Sequence, residues 1–383
     1  VKVLAAAALC AALGACTTTP GPVLPGRIFI DARFGPPAER IDPDAVFALS
    51  AAMRRYLHED IAPQLRAQGA QRGLIGALYR PGQLKLEYDA SITRNAAQAF
   101  EARRGNCLSL VIMTAAFAKE IGLRPEYQTV DAGGTWSRKG GIAFLNDHVN
   151  LGLRKSLADE TTGYDSARTL TVDFLPGDAI ARYHVRPIDE ATIVAMYMNN
   201  RSAEALDRGD VDTAYWWARG AIDRSPAFTA PYNTLAVIYL HHGDVAQAEQ
   251  VLAELLRRDP ADRQALSNLA MVYDRLGRPD DAGRLRQQLA DLEPFPPYHF
   301  FFLGAAAMAR GDYAAARALF SREVDRADYS GEFHYWLGIA NFKLGDIAEA
   351  RRQLAIAMEN STSPNESALY EGKLERLRSY GAH

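Results

Sequence analysis

His242-Gly243-Asp244-Val245-Ala246-Gln247-Ala248 decides the architecture of the second half of the chain, because its landmarks recur. Gly209, Gly243, Gly277, Gly311 and Gly345 stand 34 residues apart, and Ala214, Ala248, Ala282, Ala316 and Ala350 keep the same spacing behind them. Asp210, Asp244, Asp312 and Asp346 follow four of these glycines, and Pro226, Pro260 and Pro294 close the first three units. Each landmark has a physical reason. Glycine ends a helix by taking positive φ at little steric cost. The Asp behind it is placed to cap the next helix. The alanine is small where two helices approach most closely, and proline stops the second helix of each pair.

A 34-residue period with these marks resembles the tetratricopeptide repeat. It implies an all-α solenoid of five repeats over residues 188–383. The first and last units are the least regular, as end units of such arrays are: Arg201 and Ser202 stand where a Leu-Gly-like pair is expected. Arrays of this kind bind a protein or peptide on a concave face lined by the first helix of each pair. Asn199, Asn233, Tyr298, Phe301, Met308, Tyr335 and Phe342 are the residues expected there. The cluster Tyr298-His299-Phe300-Phe301-Phe302 has two readings, a peptide-binding surface or filling for the core between repeats three and four.

The chain opens with Lys2, a short apolar run from Val3 to Ala12, and Leu13-Gly14-Ala15-Cys16, the pattern of a lipoprotein signal over residues 1–15. About ten apolar residues are too few to span a bilayer, which takes roughly twenty. The expectation is a lipid on Cys16, with an ordinary secretory signal cut nearby as the alternative. Multiple acyl chains would hold the protein stably on a membrane. Thr17 behind the cysteine points to the outer membrane of a Gram-negative envelope, facing the periplasm, and residues 16–30 read as a tether.

Setting aside Cys10 in the signal and Cys16 at its end, Cys107 is the remaining one of three cysteines. A lone thiol in an envelope compartment is either a small buried hydrophobe or a nucleophile. Its surroundings favour the nucleophile. Asn95 to Arg104 reads as a helix broken by Gly105, and Leu108 to Ile121 is apolar nearly all round and closed by Gly122, a buried helix. Cys107 therefore opens that helix, where free N–H groups and the dipole favour a thiolate, and its own N–H is placed to donate to an oxyanion. Upstream, Asp42-Pro43 starts an amphipathic segment read as one helix from Ala45 to Ala67. Downstream, Pro125–Val130, Gly141–Leu145, Asp147–Leu153 and Thr169–Leu175 read as strands. His148 is the well-placed base, and Asp173 sits on the strand after it.

Arg104-Gly105-Asn106-Cys107 opening an apolar helix, then a strand His, then Val172-Asp173, resembles the transglutaminase-like superfamily across residues 80 to 178. The resemblance implies an α+β papain-like domain, here residues 31–187. It also implies a Cys-His-Asp triad: Cys107 as nucleophile, His148 as general base, Asp173 as orienter of the imidazole. Two departures stand out. The His148–Asp173 spacing is long, with an extended loop through Glu160 to Ser166, and Asn150 is a rival orienter on the same strand face.

The 383 residues are ample for two domains with real cores, and a net charge of −3 gives no reason to expect a nucleic-acid partner. No metal-ligand spacing or phosphate loop stands out, so no cofactor is expected. The leading expectation is envelope-anchored acyl transfer on a protein or peptide, by protease or amidase chemistry more than by cross-linking, with the repeats recruiting substrate. The other reading is a non-catalytic envelope scaffold or assembly lipoprotein that works through its repeats.

Overall fold

A computed structural model of the chain describes residues 28–79, 84, 86–139, 142–155, 169–172, 184–361 and 363–379. The signal sequence, Cys16, Asp173 and the Glu160–Ser166 loop lie outside the described residues.

The segment expected as one helix from Ala45 to Ala67 is broken into pieces. Asp42 caps a short turn over Pro43–Ala45, accepting from the Asp44 and Ala45 amides. Ser50 then starts α1 (Ala51–Arg55) by accepting from the Met53 amide, and a π turn runs over Tyr56–Asp60. Pro63 falls in the first turn of α2 (Ala62–Gln68). A side-chain cap at Ser50 and a proline without an N–H give the backbone three starting points where apolar periodicity suggested one. α3 (Ala70–Tyr79) follows.

Two residues of β1 (Glu87–Tyr88) pair in parallel with β2 (Arg104–Gly105), on either side of α4 (Ala96–Ala102). Helix α5 (Cys107–Glu120) is buried at every residue from Leu108 to Ala118. It packs with β4 (Ile142–Arg154) in a sheet of order β5-β4-β3-β6, where β3 is Arg124–Lys139, β5 Leu170–Val172 and β6 His184–Ile188. All its pairings are antiparallel. The runs expected as separate strands at 141–145 and 147–153 are, from Ile142 on, one strand, β4.

The repeats form five antiparallel pairs: α6 (Glu190–Asp207) with α7 (Val211–Arg224), α8 (Ala230–His242) with α9 (Val245–Arg258), α10 (Arg263–Arg275) with α11 (Pro279–Leu292), α12 (His299–Ala309) with α13 (Tyr313–Arg326), and α14 (Gly331–Lys343) with α15 (Ile347–Glu359). A last helix, α16 (Pro364–Ser379), packs against α15. The five periodic glycines turn between the helices of each pair at φ +70° to +94°. The five periodic alanines are fully buried. Asp210, Asp312 and Asp346 cap their helices as expected. Asp244 does not; it pairs with Arg33 at 2.8 Å and with His242 at 2.6 Å.

Arg33 belongs to a strap. Residues 28–39, whose first three were read as tether, run against the first two repeats. Phe34 stacks on Tyr215 with ring centroids 3.9 Å apart, and Ile28 is buried in the same core. Tyr239 donates to the Ile28 carbonyl at 2.6 Å, Trp216 to that of Gly35 at 2.6 Å, and the Gly35 amide donates to Asp212 at 2.9 Å. Removing the Phe34 ring should leave a cavity over Tyr215. Phe34→Ala is expected to lower unfolding free energy by about 3 kcal/mol in a urea titration; a loss under ~1 kcal/mol would mean the strap is only laid on the surface.

Candidate functional site

Cys107 is the first residue of α5 and is partly exposed at the edge of the first core. The turn before it is fixed in detail. Asn106 has extended backbone angles and caps α5, its side-chain oxygen accepting from the Ser109 amide at 2.9 Å and the Ser109 hydroxyl at 2.7 Å. The Ser109 hydroxyl in turn accepts from the Arg94 amide at 2.8 Å. Gly105 must be glycine for reasons of space: a Cβ there would lie 2.6 Å from the Ser109 Cβ. The Asp89 amide donates to the Gly105 carbonyl at 3.0 Å, tying the β1 edge to the same turn.

Tyr88, opposite Gly105 in the β1–β2 pair, brings its phenol beside Cys107. Burial pushes that phenol well above its ordinary range, and the neighbouring thiol adds to the effect. The hydroxyl therefore stays protonated and neutral. Next to it, burial works against ionisation of Asp89, but hydrogen bonds from Ser91 and the Arg94 guanidinium, 3.0 Å away, outweigh it and hold the carboxyl below the usual range.

His148 lies on β4 and is only 2 % exposed. Val149, Leu151 and Leu153 are buried in the core that contains α5, and His148 and Asn150 alternate with them on the other side of the strand, both buried. Cys107 and His148 stand on two elements that pack together, with His148 on the strand face opposite the residues buried with α5. Asp173 lies outside the described residues, one past Val172, which pairs with Leu151 across β4 and β5. Asn150 shares the His148 face, as expected of the rival orienter. Among the described residues, no group of three or more His, Cys, Asp or Glu side chains is gathered to hold a metal ion. No helix among them is long and apolar enough to cross a membrane.

The residues expected on the repeat groove divide. Tyr298 and Phe301 are buried with Phe320 and Phe333 in a core shared by the fourth and fifth pairs, so they fill an interior and line no groove. The core in question is one pair further along than the filling between repeats three and four expected as the alternative. The reason is local: buried Glu323 of α13 accepts from the Phe300 and Phe301 amides and anchors the start of α12 inward. Of the aromatic run, Phe302 is the exposed member at 54 %. Met308, Tyr335 and Phe342 are partly buried, Tyr335 stacking on Tyr370 of α16. Asn233 is buried and accepts from Asn268 at 3.3 Å, and Asn199 on α6 is half-buried.

Family models described as tetratricopeptide repeat match residues 205–267, 268–331 and 301–362. The C-terminal region is a tetratricopeptide-repeat array. A curated relative, the TPR repeat-containing protein YvcD of Bacillus subtilis (strain 168), is 25 % identical over 154 residues, which is 39 % of this chain and 32 % of the relative. The chain thus spans about a third of that relative's length. Among solved structures, the thermophilic TPR protein TTC0263 of Thermus thermophilus is 19 % identical, over 47 % of this chain and 98 % of that one, with a TM-score of 0.28. YrrB, described as a TPR protein with an unusual peptide-binding site, is 15 % identical, over 46 % and 92 %, with a TM-score of 0.25. MamA from Desulfovibrio magneticus RS-1 is 18 % identical, over 45 % and 96 %, with a TM-score of 0.26.

Sequence reasoning missed Tyr88 and the cap at Asn106. The second had a signal, an Asn directly ahead of an apolar run; the first had none, since a tyrosine in a short strand is ordinary. Gly105→Ala forces its Cβ onto Ser109 and should cost roughly 1–3 kcal/mol in unfolding free energy. An unchanged melting curve would show that the turn can yield.

Proposed function

We propose that this protein performs cysteine-dependent acyl transfer on a protein or peptide, with Cys107 as nucleophile, His148 as general base and Asp173 orienting the imidazole. The repeats recruit the substrate, as tetratricopeptide arrays serve protein–protein interaction. The observation that carries the reading is the placement of Cys107: partly exposed at the first residue of an otherwise buried helix, packed against the strand that bears a buried histidine. The thiolate attacks a carboxamide or peptide carbonyl, forming a C–S bond and an oxyanion; the Cys107 N–H, hydrogen-bonded to the Tyr88 phenol in this structure, would have to turn from it to meet that charge. Collapse breaks the C–N bond, and the amine leaves with a proton from His148. Water, deprotonated by His148, then releases the acid from the thioester. Hydrolysis is favoured over cross-linking because no dedicated amine site stands out among the described residues. The proposed setting is the envelope, with the lipid on Cys16 and the outer membrane facing the periplasm. The resemblance of the 80–178 stretch to the transglutaminase-like superfamily supports this chemistry.

A second reading is a non-catalytic scaffold that acts through its repeats, favoured by the family-model matches to the repeat array. The two readings separate at the thiol. Capture of Cys107 by iodoacetamide at pH 7, followed by the mass of its peptide, should run on the order of tenfold faster than for free cysteine and fall back in His148→Ala. A thiol no faster than free cysteine, and indifferent to His148, would leave the scaffold. In that case Cys107→Ala would keep full function in cells.

A further inference from the structure

The cap that places Cys107 does not end within its own domain. Thr93, 2 % exposed, accepts at its hydroxyl from the Asn106 side-chain amide at 2.9 Å and from that of Asn200 at 3.2 Å. Its backbone N–H donates to the Glu204 carboxylate at 2.6 Å. Asn200 and Glu204 are on α6, the first helix of the repeat array. Glu204 is held in turn by Arg201 at 2.9 Å, which also reaches Glu39 of the strap at 2.8 Å. We propose that Asn200 and Glu204 are positioning residues for Cys107, acting through Thr93 and Asn106, so that the first repeat is part of the thiol site. This inference rests on the acyl-transfer reading.

The physical link runs through the N-cap. Asn106 holds the Ser109 N–H through its side-chain oxygen, which the Ser109 hydroxyl also meets, while Thr93 holds the nitrogen end of the same amide. Thr93 is itself fixed from α6 at both its hydroxyl and its backbone. Losing the α6 contacts frees Asn106 to turn, the first turn of α5 loosens, and Cys107 loses its fixed place at the start of the helix. The carboxylate serves here as an acceptor: burial raises the Glu204 carboxyl, with the Thr93 amide and Arg201 opposing that shift.

The test uses the full chain in mild detergent, with iodoacetamide as probe and the mass of the Cys107 peptide as readout, beside a thermal melt. Asn200→Ala and Glu204→Leu should each slow capture about threefold. Glu204→Gln keeps an acceptor for the Thr93 amide and should restore the wild-type rate. The direction matters, because mere loosening exposes a thiol and speeds its capture. Slower capture rescued by Glu204→Gln therefore supports positioning. Unchanged or faster capture in both Asn200→Ala and Glu204→Leu, with the wild-type thiol still faster than free cysteine, overturns this inference and leaves the acyl-transfer reading standing. A wild-type thiol no faster than free cysteine overturns both. Should Glu204→Leu not fold, Asn200→Ala removes one hydrogen bond and decides alone.

Discussion

Helix α5 is buried on every side from Leu108 to Ala118, and that burial constrains the rest of the first half of the chain. Each large apolar side chain on it gains roughly 1.5–3 kcal/mol by leaving water. That drive is non-directional, so it places the helix inside without fixing its rotation or its start. The polar contacts at its two ends do that. At the far end Lys119 meets Glu190 at 2.7 Å, and Tyr127 donates to the same carboxylate at 2.9 Å. At the near end Asn106 reaches Thr93, and through it Asn200 and Glu204. Glu190 starts α6 and Glu204 lies near its end, so α6 runs antiparallel to α5 and holds both its ends. The lengths agree: at 1.5 Å per residue, Cys107 to Lys119 and Glu190 to Glu204 each span roughly 20 Å.

The first repeat accordingly serves two cores. Ile193 to Met198 on α6, with Trp217 and Ala221 on α7, are buried with the α5 residues, while Ala214, Tyr215 and Ile222 on an adjoining stripe of α7 are buried with the second repeat. The strap adds to this from outside, with Glu39 accepting from Trp217 at 2.8 Å and pairing with Arg201. On the proposed acyl-transfer reading, a recruited peptide would be presented to Cys107 across a fixed geometry. Flexible linkers raise local concentration by an amount set by their length; a rigid junction replaces that with orientation, which is worth more when it is right and nothing when it is wrong.

What could be read from the sequence follows from how many times a constraint repeats and how local it is. The turn glycines and the helix-contact alanines were legible because one steric requirement returns at each unit. The caps at Asp42, Asp210, Asp312 and Asp346 were legible because donor and acceptor lie within three residues. Asp244 has the same local sequence and a different partner, since Arg33 arrives from the far end of the chain. The Tyr298–Phe302 run could not be placed from its composition, because an unbroken apolar run has no period to say which side faces in. The Ala45–Ala67 reading failed for a related reason. Apolar spacing runs on across Ser50 and Pro63, where the backbone begins afresh. At the thiol, Cys107 and its helix were legible, while Tyr88 and Thr93 owe their roles to chain segments brought together only by folding.

The Thr93 cluster also limits how the two halves can vary independently. Buried polar groups stabilise a fold only when each has a partner, and a network that loses one member leaves the others as unpaired donors or acceptors in low dielectric. Replacing α6 with a generic repeat helix would strand the Thr93 amide, and the Arg201 guanidinium would vanish from beside Glu39. Four side chains on three segments, Thr93, Asn106, Asn200 and Glu204, must therefore change together or not at all. Arg201 and Ser202, where a regular repeat would carry a Leu-Gly-like pair, fit the same logic. Arg201 reaches out to Glu39 and Glu204, and the buried Ser202 hydroxyl donates to the Ala214 carbonyl at 2.7 Å, a polar tie between α6 and α7. The irregularity of the first repeat marks a helix shaped by what it holds on its outer side.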